Sequence, residues 1–166
     1  TLTALLDLTT VVLVYLLGRR IFSEGAGLIG AALYAFAVLP IQLSHFFPVD
    51  SWMTFFIFAA LLACIDAMRT GSTGRFALAG VWYGLAVASK ATAAPLGGII
   101  VLALVLASLV ESGQIRSTVT LISRLARRAA VSGIAFLTAC FIGEPFAFLA
   151  PRAYLDAAFA QAAAYR

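Results

Sequence analysis

Charge is scarce in this chain. Lys, Arg, Asp and Glu make up 11% of its 166 residues, against about 25% in a soluble globular domain. Hydrophobic residues make up 63%, against about 45–50%. So little polar surface cannot cover a water-soluble globule, and the soluble classes are excluded. Cysteine is nearly absent too: Cys64 and Cys140 both sit inside apolar runs. They read as small buried hydrophobes, not as a disulfide. No Walker loop, dinucleotide fingerprint, zinc-ligand spacing or nucleophile elbow occurs. No internal repeat is evident, which disfavours a transporter built from inverted halves. There is no initiator Met, charged n-region or signal-peptide layout, and both ends read as cut, as in an internal fragment of a larger protein.

What is present is a series of apolar runs, with a mean hydropathy of +1.06. Runs of this kind read as membrane-spanning helices. Six spans are expected, at about 2–17, 26–43, 51–68, 76–89, 91–110 and 129–143. Together they form a transmembrane helical bundle over 1–150. Glu144-Pro145 breaks the last span, and 151–166 reads as an interfacial helix. The fold class is therefore an all-α membrane protein.

The stretch 76–110 decides the topology, because it is too long for one span of about 20 residues and long enough for two short ones. If it turns at Lys90, one side receives Arg19, Arg20, Arg69, Arg75, Arg116, Arg124, Arg127 and Arg128. The other side receives Lys90, Arg152 and Arg166. A single crossing would abolish this bias. The hairpin satisfies the positive-inside rule and makes the Arg-rich side cytoplasmic. The net charge of +4 is spread in short pairs between apolar runs, so it reads as topology and not as nucleic-acid binding.

Glu24, Asp66 and Glu111 then fall beside arginines on the cytoplasmic side, where solvated loops account for them. Asp7, Asp50, Glu144, Asp156, His45 and Lys90 fall toward the outside. Asp50 opens the third span, where an acid caps free backbone donors and suits the helix dipole. That role does not exclude catalysis. His45 can be an interfacial aromatic. Lys90 sits at the tip of a tight apolar hairpin, where an ammonium either snorkels to the interface or meets a partner or phosphate. Glu144 can be a plain helix stop, and Asp7 lies near the outer end of the first span. Gly80-Val81-Trp82-Tyr83-Gly84 has the small-xxx-small spacing of close helix packing, and Gly25, Gly27 and Gly30 read the same way.

Two strings carry a resemblance: Leu39-Pro40-Ile41-Gln42-Leu43-Ser44-His45-Phe46-Phe47-Pro48-Val49-Asp50 and Gly80-Val81-Trp82-Tyr83-Gly84-Leu85-Ala86-Val87-Ala88-Ser89-Lys90. With Tyr15-Leu16-Leu17-Gly18-Arg19-Arg20 before them and Glu144-Pro145-Phe146 after them, the chain resembles the bacterial membrane glycosyltransferases of family 39. That family includes protein mannosyltransferases and lipid A aminoarabinose transferases and has the C-type glycosyltransferase fold. The resemblance implies transfer of a sugar from a polyprenyl-phosphate donor on the extracytoplasmic face of the bacterial inner membrane. Asp50 would be catalytic, with His45 as a hydrogen-bond donor to the phosphate or an orienter of Asp50. Lys90 would bind the donor phosphate, with Glu144 beside it. The cofactor stays open, a divalent cation being the candidate and Asp50 its candidate ligand. The expected partners are the sugar donor, membrane lipid and the remaining portion of the same enzyme, with no nucleic acid. The family's principal catalytic Asp would precede residue 1, so these 166 residues alone are expected to be inactive. The alternatives are a carrier or channel subunit, a structural assembly subunit, or another polyprenyl-linked enzyme. The first needs polar span centres and the last several outer arginines, and the chain shows neither pattern.

Overall fold

A computed structural model describes residues 2–37, 49–112 and 118–164. The described residues are helical throughout, joined by short turns: α1 (Leu2–Ile21), α2 (Glu24–Ala35), α3 (Val49–Thr70), α4 (Thr73–Ser89), a 3-10 turn (Ala91–Ala93), α5 (Leu96–Ser112), α6 (Thr118–Gly143), α7 (Phe146–Leu149) and α8 (Pro151–Ala164). The all-α membrane class holds. Among the described residues four stretches are long and apolar enough to cross a membrane: Leu2–Ile21, Val49–Thr70, Ala91–Val110 and Thr118–Gly143.

The punctuation of the sequence explains where these helices end. Ser23 caps α2, its Oγ accepting from the Ala26 N–H at 3.2 Å, and Glu24 in the first turn suits the dipole. Gly71 closes α3 in the left-handed region at φ 62°, donating its N–H to the Ala67 carbonyl at 2.8 Å. That conformation is costly for any residue with a Cβ. At Lys90 the backbone becomes extended (φ −158°, ψ 125°), and the 3-10 turn and Pro95 then reverse the chain into α5. The hairpin expected at Lys90 is therefore a six-residue corner and not a single pivot.

The sixth expected span, 129–143, is the second half of a longer helix. α6 begins at Thr118, so Arg124, Arg127 and Arg128 lie on helix and not in a connecting loop. Their i, i+3, i+4 spacing places them along one face.

Packing is closest where side chains are smallest. α4 lies between α3 and α6, α2 against α1, and α5 chiefly against α3 and α6. A Cβ on Gly80 would stand 2.2 Å from the Ser132 carbonyl oxygen, and one on Gly84 2.5 Å from that of Phe136. The small-xxx-small spacing is thus spent inside the bundle, on α4 against α6. Gly18 and Gly27 play the same part for α1 and α2, with a Gly18 Cβ meeting the Gly27 Cα at 2.8 Å. Gly25 meets nothing within 4 Å, so its expected packing role does not hold. The buried core joins Ala63, Cys64 and Ala67 of α3 with Phe76 and Ala79 of α4 and Ile100, Ala103, Leu104 and Ala107 of α5. Cys64 and Cys140 are both buried and free.

Candidate functional site

The alternating directions of α1 to α6 gather two groups of charge at opposite ends of the bundle. At the arginine-rich end Asp66, in the last turns of α3, accepts from Arg75 at 2.6 Å and pairs with Arg20. Arg69 donates to the Arg20 carbonyl and Arg128 to that of Gly71, while Arg127 donates to Thr73 Oγ1 at 3.3 Å. Arg128 is buried, its guanidinium 5.7 Å from the centre of the Phe76 ring. Asp66 is therefore no ordinary solvated loop acid, as its neighbouring arginines suggested. It is a helical carboxylate shared by guanidiniums from two other helices.

At the other end the Lys90 ammonium donates to Asp50 Oδ1 at 2.6 Å. Asp50 stands in the first turn of α3 and Lys90 just past the last turn of α4. The two residues are 40 positions apart in the chain, and the antiparallel packing of α3 and α4 alone brings them together. Their side chains keep 36% and 41% of their surface exposed, so the pair remains reachable. Asp50 also binds Thr54 locally, its carbonyl accepting from Oγ1 at 2.8 Å.

An aromatic floor lies directly beneath this pair. Phe56 stacks on Trp82 with ring centres 5.9 Å apart, Phe55 meets Trp82 edge-on at 6.0 Å, and Trp52 leans on Phe56. These contacts fix the relative height of α3 and α4 just below the charges. Thr92 Oγ1 donates to Met53 Sδ at 3.5 Å, and Tyr83 donates to the Ala94 carbonyl at 2.9 Å while stacking on Phe136. Lys90 thus stands in a corner pinned on both sides. Nothing in the sequence alone marked Phe56, Thr92 or Tyr83 as supports, because their partners lie on other helices.

The remaining candidates separate. His45 lies outside the described residues. Glu144 is half-buried at the same end as Lys90, since a Cβ on Gly143 would lie 2.7 Å from Ala88 Cβ. Its N–H closes α6 onto the Cys140 carbonyl. Among the described residues no ion pair joins Glu144 to Lys90. Asp7 accepts from the Tyr34 hydroxyl at 3.0 Å, so it ties α1 to α2 apart from the pair. Asp156 is exposed on α8.

Among the described residues no group of three or more His, Cys, Asp and Glu could hold a metal ion. The Asp50 carboxylate already faces an ammonium. No step below passes through a metal ion.

An apolar cavity of about 220 Å³ lies between α1, α3 and α5 and is lined by Leu17, Cys64, Met68 and Ile99 among others. It offers no catalytic group. A second cleft, about 190 Å³, runs along α3 from Phe55 and Trp82 to Asp66 and Arg75, so it reaches the arginine-rich end and not the Asp50–Lys90 pair.

Residues 1–132 match the family model described as dolichyl-phosphate-mannose-protein mannosyltransferase. No curated protein and no solved structure matches the chain.

Proposed function

This chain belongs to the dolichyl-phosphate-mannose-protein mannosyltransferase family, and from that premise we propose that Asp50 and Lys90 form part of a sugar-transfer site on the extracytoplasmic face of a bacterial plasma membrane. The family makes it a membrane glycosyltransferase that draws on a lipid-linked sugar donor. The finer reading is a polyprenyl-phosphate donor and an acceptor hydroxyl or phosphate. The observation that supports it is the Asp50–Lys90 pair, a base and a cation held 2.6 Å apart at the arginine-poor end of a membrane bundle.

The chemistry assigns each group a task. An acceptor oxygen bonds to the anomeric carbon as the bond from that carbon to the carrier's phosphate oxygen breaks. Where the acceptor is a hydroxyl, its proton passes to the Asp50 carboxylate, a general-base role that contributes typically about 10²–10⁴-fold. Negative charge gathers on the departing polyprenyl phosphate, where the Lys90 ammonium stabilises it as a point charge. The aromatic floor keeps the low-dielectric membrane interior beneath both groups, which strengthens their field. His45, a few residues before Asp50 in sequence, is the proposed orienter of that acid, with Glu144 beside the phosphate. The six-span layout completes the proposal, with α2 and α4, of 12 and 17 residues, as the two spans beyond the four long apolar stretches.

The test uses full-length protein in membranes with radiolabelled polyprenyl-phosphate sugars. Asp50→Asn and Lys90→Ala should each lower transfer at least about a hundredfold at unchanged expression. Wild-type transfer by both variants would refute the assignment.

A further inference from the structure

The same pair carries a second consequence, which builds on the reading of Lys90 as the phosphate-side cation. In a displacement at an anomeric carbon, the entering and leaving oxygens stand on opposite faces of the sugar. The base serves one and the cation the other, so a sugar must fit between them. In inverting glycosidases, which carry out a related displacement, the two catalytic carboxyl groups stand about 6.5–9.5 Å apart. Asp50 and Lys90 are at 2.6 Å, in direct contact, with no room for a sugar. The pair as it stands is closed to the reaction it serves.

We propose that the Asp50–Lys90 ion pair is a latch that the donor's own phosphate opens by replacing the Asp50 carboxylate on the Lys90 ammonium. Phosphate binding and release of the base are then one event. Asp50 is held in the ion pair, its carboxylate against the ammonium, until a phosphate-bearing lipid has arrived. The geometry suits such an exchange. Lys90 stands on extended backbone just past the end of α4, and its long side chain can swing about the fixed corner. The corner itself is held by backbone and neighbour contacts that do not involve the ammonium: the Lys90 N–H donates to Ala86 and the Lys90 carbonyl accepts from Ala93, each at 3.0 Å. Asp50 keeps its place through α3, with Ser51 buried beside it. Opening the latch therefore costs one partly exposed ion pair and no helix. An exposed pair is weak enough for a competing anion to displace.

A latch makes an unusual prediction for the acid. If the carboxylate competes with phosphate for Lys90, removing its charge should tighten phosphate binding even as it abolishes transfer. If Asp50 instead holds Lys90 in place for phosphate, removing its charge should weaken binding. The experiment measures the affinity of full-length protein in lipid nanodiscs for farnesyl monophosphate, a short analogue of the leaving lipid, by titration. Asp50→Asn should bind it about fivefold more tightly than wild type, and Lys90→Ala should bind it more weakly. The double variant Asp50→Asn/Lys90→Ala should lose the gain, which shows that it acts through the ammonium. Unchanged or weaker binding by Asp50→Asn, with Lys90→Ala still impaired, would overturn the latch and leave the phosphate site standing. Wild-type binding by Lys90→Ala would overturn the phosphate site and the latch together.

Discussion

The α3–α4 hairpin carries an ion pair at each end, and the two ends are built differently. Asp50 and Asp66 are 16 positions apart on α3, and Lys90, just past α4, is 15 positions from Arg75, about 24 and 22 Å along the two axes. Antiparallel packing therefore matches both acids to both cations in one register. At the arginine-rich end the carboxylate keeps 15% of its surface and is shared by guanidiniums from α1 and α4. At the other end the carboxylate has one ammonium and more than a third of its surface open. The first arrangement is redundant: α1 and α4 both converge on Asp66 of α3, so the loss of one contact leaves the other. The second has one bond that a ligand can replace. On the proposed reading, the same acid–base chemistry becomes structure or site according to the number of partners and the access of solvent.

The comparison is broken most completely by detaching the strut that joins the two ends. α4 carries Arg75 at one end and Lys90 just past the other, and its depth is set by Gly80 and Gly84 against backbone carbonyls of α6. A valine at Gly80 would place carbon against the Ser132 carbonyl, which cannot rotate away as a side-chain tip would. Gly80→Val should cost about 3 kcal/mol and abolish transfer, measured as lost thermal stability in detergent together with lost activity. Gly25→Ala, at a position with open space, should change neither. A stable, active Gly80→Val would mean that α4 is not positioned by this seam.

A second pair of variants sharpens the contrast between the ends. Asp66→Asn leaves Arg20 and Arg75 facing each other without the shared charge, and should cost about 2 kcal/mol, between the values for exposed and buried pairs. Sugar transfer per folded molecule should stay within about twofold of wild type, since surviving molecules keep the distant site intact. Asp50→Asn should show the reverse pattern, losing less than about 1 kcal/mol of stability while losing transfer. Thermal melting and single-turnover transfer on the same preparations separate the two. If Asp66→Asn melts like wild type, or Asp50→Asn melts as low as Asp66→Asn is expected to, the division into structural and functional ends fails.

How much of this was readable in the sequence follows from where each partner lies. The run of apolar segments announced the membrane class, and the parity of the spans put Asp50 and Lys90 at one end before any contact was known. Parity says only which end a residue occupies. That the two side chains touch depends on α4 lying beside α3, which the aromatic contacts of Phe55, Phe56 and Trp82 decide. The Asp66 cluster was missed for a related reason. Arg69, three positions on, offers an obvious local partner, whereas the observed ones, Arg20 and Arg75, arrive from separate helices. The helical character of 118–128 did leave a signal in the spacing of Arg124, Arg127 and Arg128, but the density of charge reads more readily as a loop. The Asp7–Tyr34 bond spans 27 positions and had no local mark.

The finest distinction lies within the arginine-rich end, between two adjacent residues of α6. Arg128 is 4% exposed, donates to the Gly71 carbonyl and lies over the Phe76 ring. It therefore secures the one left-handed residue that turns α3 into α4. Arg127, about 100° around the helix, is exposed and donates to the Thr73 hydroxyl at 3.3 Å. Arg128→Ala should cost about 2 kcal/mol, from a lost charged hydrogen bond and a desolvated cation–π contact. Arg127→Ala should stay within about 0.5 kcal/mol of wild type, as surface substitutions do. Thermal melting of the two variants in the same detergent measures the difference. Equal losses would show that this end acts as one cooperative charge network, in which case redundancy would not be what distinguishes Asp66 from Asp50. A large difference would locate the stability of this end in the buried contacts around Gly71, leaving the exposed charges to serve topology alone.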